Sequence, residues 1–229
     1  MTIAIVGGTG DEGFGLAVRL AAAGVPVTIG SRARERAEEA AGRVRQAAGP
    51  DAPAGGEENA VAVAGAQLTF VTVPYGGQAD IYRSLKDRWP AGAIVCDTTT
   101  PLATAVGGRL TQVLRPWHGS AAEQARSLLP DGVWLVAGFH TVSAEPLADL
   151  EEPLDADVLL CGDDGQAKAA VGEMVEKIPG ARWVDCGALS MARILEPITA
   201  VLISVNRKYG LGGSGVRLTG HDAWGKPRR

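Results

Sequence analysis

The chain has 229 residues, 46% of them hydrophobic, and a formal net charge of −4. That apolar content can build a substantial core, so one domain, or one domain with a short appendage, is expected. The acidic balance, with a pI near 5.4, excludes the broad basic surface that nucleic-acid backbones require, so any anionic ligand must meet local cations.

The three cysteines, Cys96, Cys161 and Cys186, stand among apolar neighbours without CxxC spacing. They read as reduced, buried thiols, and no metal site is expected. The amino-terminus runs straight into Ile3–Val6 without a basic leader, and no stretch reaches the roughly 18 apolar residues of a membrane span. A cytoplasmic protein without membrane or nucleic-acid partners is expected.

Short β-branched runs alternate with Ala-rich stretches through the first half, the pattern of parallel βαβ units. Strands are predicted at Ile3–Gly7, Val25–Gly30, Leu68–Val73 and Ala93–Asp97, and helices at Phe14–Ala23, Arg34–Ala48 and Gln78–Trp89. Gly49–Glu58 is rich in Gly, Pro and Asp and reads as a surface loop. Thr98–Gly119 reads as a second loop, placed at a strand's carboxyl end where a lid would sit. Beyond it come a helix at Ala121–Leu129, strands at Val133–Ala137, Asp157–Cys161 and Arg182–Asp185, and a helix over Gly165–Ile178. Leu189–Tyr209 is expected to be helical, kinked or restarted at Pro197, and Gly220–Arg229 is a frayed tail. The fold class is α/β: a Rossmann-type doubly wound parallel sheet with a small carboxyl-terminal α/β appendage. The expected division is 1–138 for the nucleotide domain, 139–219 for the small domain and 220–229 for the tail.

Gly8-Thr9-Gly10-Asp11-Glu12-Gly13 matches GxGxxG directly between a predicted strand and a predicted helix. Gly8 is expected to make the tight turn, Gly10 to admit the pyrophosphate to the backbone, and Gly13 to pack helix on strand, with the helix amino-terminus facing the phosphates. Asp11 and Glu12 are expected to turn to solvent. An NAD site carries a carboxylate at the end of the second strand; here Gly30-Ser31-Arg32 stands there, followed by Arg34 and Arg36. A hydroxyl and guanidinium groups suit a 2′-phosphate and a carboxylate does not, so NADP is favoured.

Val6-Gly7-Gly8-Thr9-Gly10, Gly30-Ser31-Arg32, Thr72-Val73-Pro74-Tyr75, Gly119-Ser120-Ala121-Ala122-Glu123, Phe139-His140-Thr141-Val142-Ser143-Ala144 and Gly162-Asp163-Asp164 follow one another as in the NADPH-dependent F420 reductases, which this chain resembles from Ile3 to about Leu218. The resemblance implies hydride exchange between NADP and the deazaflavin coenzyme F420, and a homodimer. It also implies that Thr9, Ser31, Arg32 and Arg36 surround the 2′-phosphate and that Thr72, Val73 and Pro74, with Tyr75 beside them, follow the nicotinamide half. His140–Ala144, including Ser143 and Ala144, and the helix around Thr199 would then form the deazaflavin cleft.

Hydride transfer between two ring cofactors demands stacking and orientation more than an acid or base, so the lack of a catalytic triad fits. His140 is the candidate catalytic residue, placed to donate to a ring carbonyl or to support ring charge; a purely structural histidine is the alternative. His118 and His221 read as loop and tail residues. Two other functions stay open: an NADP-dependent dehydrogenase of a small carbonyl or imine, and a non-enzymatic NADP sensor.

Overall fold

A computed structural model describes residues 1–220; residues 221–229, and with them nearly all of the expected tail and His221, lie outside the described residues. Strands β1 (Ile3–Val6), β2 (Val27–Ser31), β3 (Ala54–Glu58), β4 (Leu68–Val71), β5 (Ile94–Asp97), β6 (Trp134–Ala137), β7 (Asp157–Gly162) and β8 (Arg182–Asp185) form one sheet in the order β3-β2-β1-β4-β5-β6-β7-β8. All pairs from β3 through β6 are parallel; β7 runs antiparallel to β6, and β8 is parallel to β7. The first six strands have the doubly wound order whose direction of winding reverses between β1 and β4, and a ligand crevice opens at the carboxyl ends of the strands there.

Among the described residues eight α-helices cover the sheet: α1 (Asp11–Ala22), α2 (Arg34–Ala48), α3 (Asn59–Ala64), α4 (Tyr75–Ser84), α5 (Ala121–Leu128), α6 (Ala144–Ala148), α7 (Gly165–Val175) and α8 (Ala192–Tyr209). One face is filled by Ile5, Leu16, Ile29, Phe70, Leu147 and Leu160, the other by Val71, Tyr82, Val95, Leu135 and Leu195. Each such side chain removed from water contributes about 1.5–3 kcal/mol.

Several local expectations need correction. Ala54–Glu58 is a strand and not a loop, in register with Val27–Ser31. Its glycines are what allow it: a Cβ on Gly56 would collide with the backbone of Ala37 and Glu38, so α2 lies against the strand only because no side chain intervenes. Helix α1 starts three residues earlier than expected, at Asp11, and α4 spans Tyr75–Ser84 in place of Gln78–Trp89, with Pro74 immediately before it. The loop after β5 contains a 3₁₀ turn at Ala103–Val106 and a bridge between Leu102 and Val113.

The carboxyl-terminal segment is fastened to α1 by one buried cation and internally by one buried carboxylate. Arg19 of α1, 3% exposed, donates to the carbonyls of Pro146, Leu147, Asp149 and Glu152. Asp157 pairs with Arg182 at 2.7 Å and Arg217 at 2.9 Å and accepts from the Leu218 N–H at 2.6 Å. Although burial works against its charge, these donors hold the Asp157 carboxyl down at about 2. Helix α8 continues through Pro197, preceded by a 3₁₀ turn at Leu189–Met191. The Leu189–Tyr209 stretch has the length and hydropathy of a membrane span, but Ala192, Leu195 and Ala200 are buried in the core and Glu196 is held against α5.

Candidate active site

The turn after β1 divides its work among the glycines differently from expectation. Gly7, not Gly8, adopts the left-handed conformation, at φ 84°, and a Cβ there would lie 2.9 Å from Val73 Cγ1. Gly8 is pressed onto the sheet, where a Cβ would come within 2.9 Å of Ile29 Cγ2 and 3.0 Å of the Ile5 carbonyl. Gly13 keeps its packing role, since a Cβ would strike the Thr72 hydroxyl and Gly8. Gly10 faces open space: a Cβ there would meet only the Gly7 carbonyl, at 3.4 Å. No side chain caps α1, so its first-turn N–H groups stay free toward that space. Such an uncapped, open cradle fits a pyrophosphate.

A cavity of about 580 Å³ runs from this cradle along the switch point. Thr9 and Gly10 line its floor, Ser31, Arg32 and Arg36 one end, and Thr72, Val73 and Pro74 the wall contributed by the segment after β4. Ser31 is buried at the end of β2, while Arg32 and Arg36 keep exposed guanidinium groups. Arg34 is engaged elsewhere, 3.2 Å from Glu57. The cavity also takes Asn59, Asp80 and Ile81, which the sequence reading missed. Asn59 opens α3, a helix not expected, and its Oδ1 is buried without a partner.

The other end of the crevice is made of buried titratable groups. Asp97, fully buried at the tip of β5, accepts from Gln78 at 3.0 Å, Tyr82 at 2.7 Å and the Thr99 N–H at 2.9 Å; burial still raises its carboxyl above the usual range. Tyr75 does not reach the cavity lining; its hydroxyl donates to Gln124, which in turn donates to Gln78. Glu12 corrects the expectation of solvent exposure. Asp11 is exposed, whereas Glu12 is half-buried, and the desolvation of its carboxyl, with Asp97 nearby, pushes it up to about 8. The phase of α1 carries that signal: Glu12 precedes Leu16 and Leu20 at i, i+4, i+8, on the side of the helix whose later positions are buried.

His140 follows Phe139, the only non-glycine described residue with positive φ, at 67°, held there by its edge-on packing with Phe70 at 5.7 Å. The His140 Nδ1 lies 3.1 Å from the Thr98 carbonyl, which can only accept, so the ring proton sits on Nδ1. Its Nε2 is buried without a partner, and burial lowers the ring to about 4. A neutral ring in that tautomer offers a lone pair at Nε2, not the donor expected there. The Thr199 hydroxyl donates to the His140 carbonyl at 2.6 Å and lies 2.9 Å from that of Thr100. Ser143 is engaged with the Ser214 carbonyl at 3.1 Å, and Ala144 begins α6.

Helix α8 is tied to the same edge. Glu196, 1% exposed, accepts from the N–H groups of Ala121 and Ala122, both at 2.9 Å, and burial raises its carboxyl to about 8. Arg193 grips Glu123 with two bonds of 2.7 and 2.6 Å.

Strand order, the open glycine turn and the basic cluster after β2 define a Rossmann-type dinucleotide-binding protein. A family model described as NADP oxidoreductase, coenzyme F420-dependent, matches residues 2–101. The chain is 40% identical over 221 residues to the F420-dependent NADP reductase of Methanothermobacter thermautotrophicus, covering 96% of this chain and 95% of that one. It is 41% identical to the enzyme of the same name from Methanocaldococcus jannaschii, covering 96% and 98%. A crystal structure of a provisionally assigned F420-dependent NADP-reductase from Arthrobacter sp. FB24 superposes with TM-score 0.73 at 25% identity, covering 96% and 99%. The chain belongs to the F420-dependent NADP reductase family.

Proposed function

We propose that the protein transfers a hydride between NADP(H) and coenzyme F420, with the pyrophosphate on the glycine cradle and the 2′-phosphate between Thr9, Ser31, Arg32 and Arg36. The observation that carries this reading is that the glycine turn and the three 2′-phosphate candidates at the end of β2 line one continuous cavity. Bound NADPH supplies the hydride from its nicotinamide carbon, and the deazaflavin ring accepts it.

The chain's own groups bind and orient. Free N–H groups of α1 hold the pyrophosphate, and Thr72, Val73 and Pro74 flank the nicotinamide half, with Tyr75 bracing α4 behind them. Residues 1–138 carry the nucleotide; within 139–219, His140, Ser143, Ala144 and Thr199 bound the cleft for the deazaflavin. His140, neutral above about pH 5 and with its proton held by Thr98, orients a ring N–H or shapes the cleft and supplies no proton. A homodimer is supported by the apolar residues that α8 leaves open, Ile194 at 60% and Val201 at 59% exposure. A cytoplasmic location without membrane attachment is supported by substrates that are water-soluble cofactors and by the ionisable Arg193 and Glu196 that α8 holds against α5.

The test is to mix protein, NADPH and oxidised F420 and follow the deazaflavin absorbance. Its loss, with NADH far less effective, is expected; tight NADPH binding with no transfer would defeat the reading.

A further inference from the structure

One wall of the cavity belongs to α4. Gly77, Asp80, Ile81 and Ser84 line it at i, i+3, i+4 and i+7, a single stripe of the helix, while Gln78 and Tyr82 on its other side are buried. Gly77 leaves the stripe bare, since a Cβ there would meet nothing within 4 Å. Ile81 beside it is apolar and half-buried, and the exposed Asp80 and Ser84 edge the stripe with polar groups. A bare apolar strip with a polar rim suits a planar heteroaromatic ring.

Asn59 lines the same cavity from α3. Successive residues of β2 face opposite sides of the sheet. Ile29 is turned to Gly8 and packs in the core beneath α1 and α2, and Ser31, two residues on, shares that face. Gly30 faces the other way, where a Cβ would lie 2.7 Å from Asn59 Oδ1 and 3.5 Å from its Cα. Helices α3 and α4 cover that second face together, since Ala60 and Val63 of α3 pack into the same core as Ile81 and Tyr82 of α4. Ser31 and Asn59 therefore stand on opposite faces at the carboxyl end of β2, with the α4 stripe on the Asn59 side.

Among the described residues, the buried side-chain oxygens and nitrogens without a partner include one whose residue lines this cavity, Asn59 Oδ1. Buried polar atoms are normally satisfied, so an amide seated against a bare glycine with its oxygen unpaired is a group kept for its other end.

We propose that Asn59 and the Gly77–Ile81 strip form a base subsite: the adenine ring lies against α4, and the Asn59 N–H2, directed away from Gly30, donates to one of its ring nitrogens. This rests on the NADP reading above. It adds that the nucleoside straddles the end of β2, its 2′-phosphate on the Ser31 face and its base on the Asn59 face. The class of ligand that fits is a purine nucleotide, because a pyrimidine covers less of the strip.

The experiment is competition of adenosine 2′-monophosphate and uridine 2′-monophosphate against NADPH, read by fluorescence, on the wild type, Asn59→Ala and Gly77→Leu. Both probes carry a ribose 2′-phosphate, so their ratio isolates the base. The wild type should bind the adenosine probe at least about tenfold more tightly. Asn59→Ala removes one hydrogen bond and should weaken the adenosine probe, NADPH and NADH alike by about 3- to 10-fold, with the uridine probe within about twofold. Gly77→Leu puts a helix-favouring side chain into the open space over the strip, so it should keep the wild-type unfolding midpoint and abolish the preference for adenosine. Equal binding of the two probes by the wild type, or a preference that survives in both variants, overturns the proposal while leaving NADP binding intact. A loss in Asn59→Ala that falls on NADPH and spares NADH overturns it too, by moving Asn59 to the phosphate. Failure of the wild type to bind NADPH overturns the NADP reading and this one with it.

Discussion

The two ends of the crevice are built on opposite principles. At the end proposed for the 2′-phosphate, Arg32 and Arg36 are exposed cations that form no ion pair among the described residues. At the other end Asp97, Glu196 and His140 are buried and Glu12 half-buried, and desolvation works against charge on each of them. The first end is suited to grip and to choose between cofactors. The second is a desolvated edge that suits the stacking of apolar rings. Affinity and cofactor choice should therefore respond to changes at one end, and the rate of transfer to changes at the other.

The largest effect should come where the two ends join. Gly10→Val places a branched side chain in the open cradle, while its backbone, at φ −86° and ψ 164°, accepts any residue. NADPH affinity should fall more than about 100-fold, roughly 2.7 kcal/mol, with little change in unfolding temperature. A folded variant with unchanged affinity in a fluorescence titration would move the cradle elsewhere.

Arg32→Ala isolates the gripping end. NADPH should bind about 10- to 150-fold more weakly, about 1.5–3 kcal/mol, and NADH should be unaffected. Equal losses for both cofactors would make Arg32 a structural residue and erase the contrast. His140→Ala probes the other end and should slow hydride transfer about 10- to 100-fold while NADPH affinity stays within about twofold. Because burial keeps the ring down at about 4, the wild-type rate should show no inflection from a histidine near pH 6.5. An inflection there that disappears in the variant would contradict the neutral tautomer.

The smallest effect is on stability. Glu12 titrates at about 8 when folded, against an ordinary value of 4.5, so between those values the folded chain holds a proton that the unfolded chain has lost. Its contribution is fully present below about 4.5 and declines as pH rises through about 8. Relative to Glu12→Gln, the wild type should lose stability as pH rises across that window, read as a shift in urea midpoint; a constant difference would place the carboxyl in solvent.

Much of this was legible along the chain because it is local. GxGxxG and Ser31-Arg32 are contiguous motifs whose chemistry depends on residue type and on their position at strand ends, so their meeting in one cavity could be read directly. The apolar runs of β1, β4, β5 and β7 likewise report burial on both faces. β3 could not be read this way: its Ala-Gly-Gly-Glu-Glu sequence has no strand propensity, and it forms because β2 supplies a ladder and α2 needs the bare Gly56 surface.

The nicotinamide end was set by tertiary contacts. Asp97 is tied to Gln78 and Tyr82 of α4, and Glu196 meets the α5 amino-terminus 74 and 75 residues away in sequence. The proton on His140 is located by the Thr98 carbonyl, 42 residues earlier. The sequence by itself determined the winding of the sheet, the glycine turn and the cluster of cations after β2, because hydrophobic period, glycine spacing and residue type act over a few residues. Only the tertiary structure decided which carboxyls lose their water and which imidazole nitrogen keeps its proton, because desolvation and hydrogen bonding depend on what the rest of the chain brings alongside.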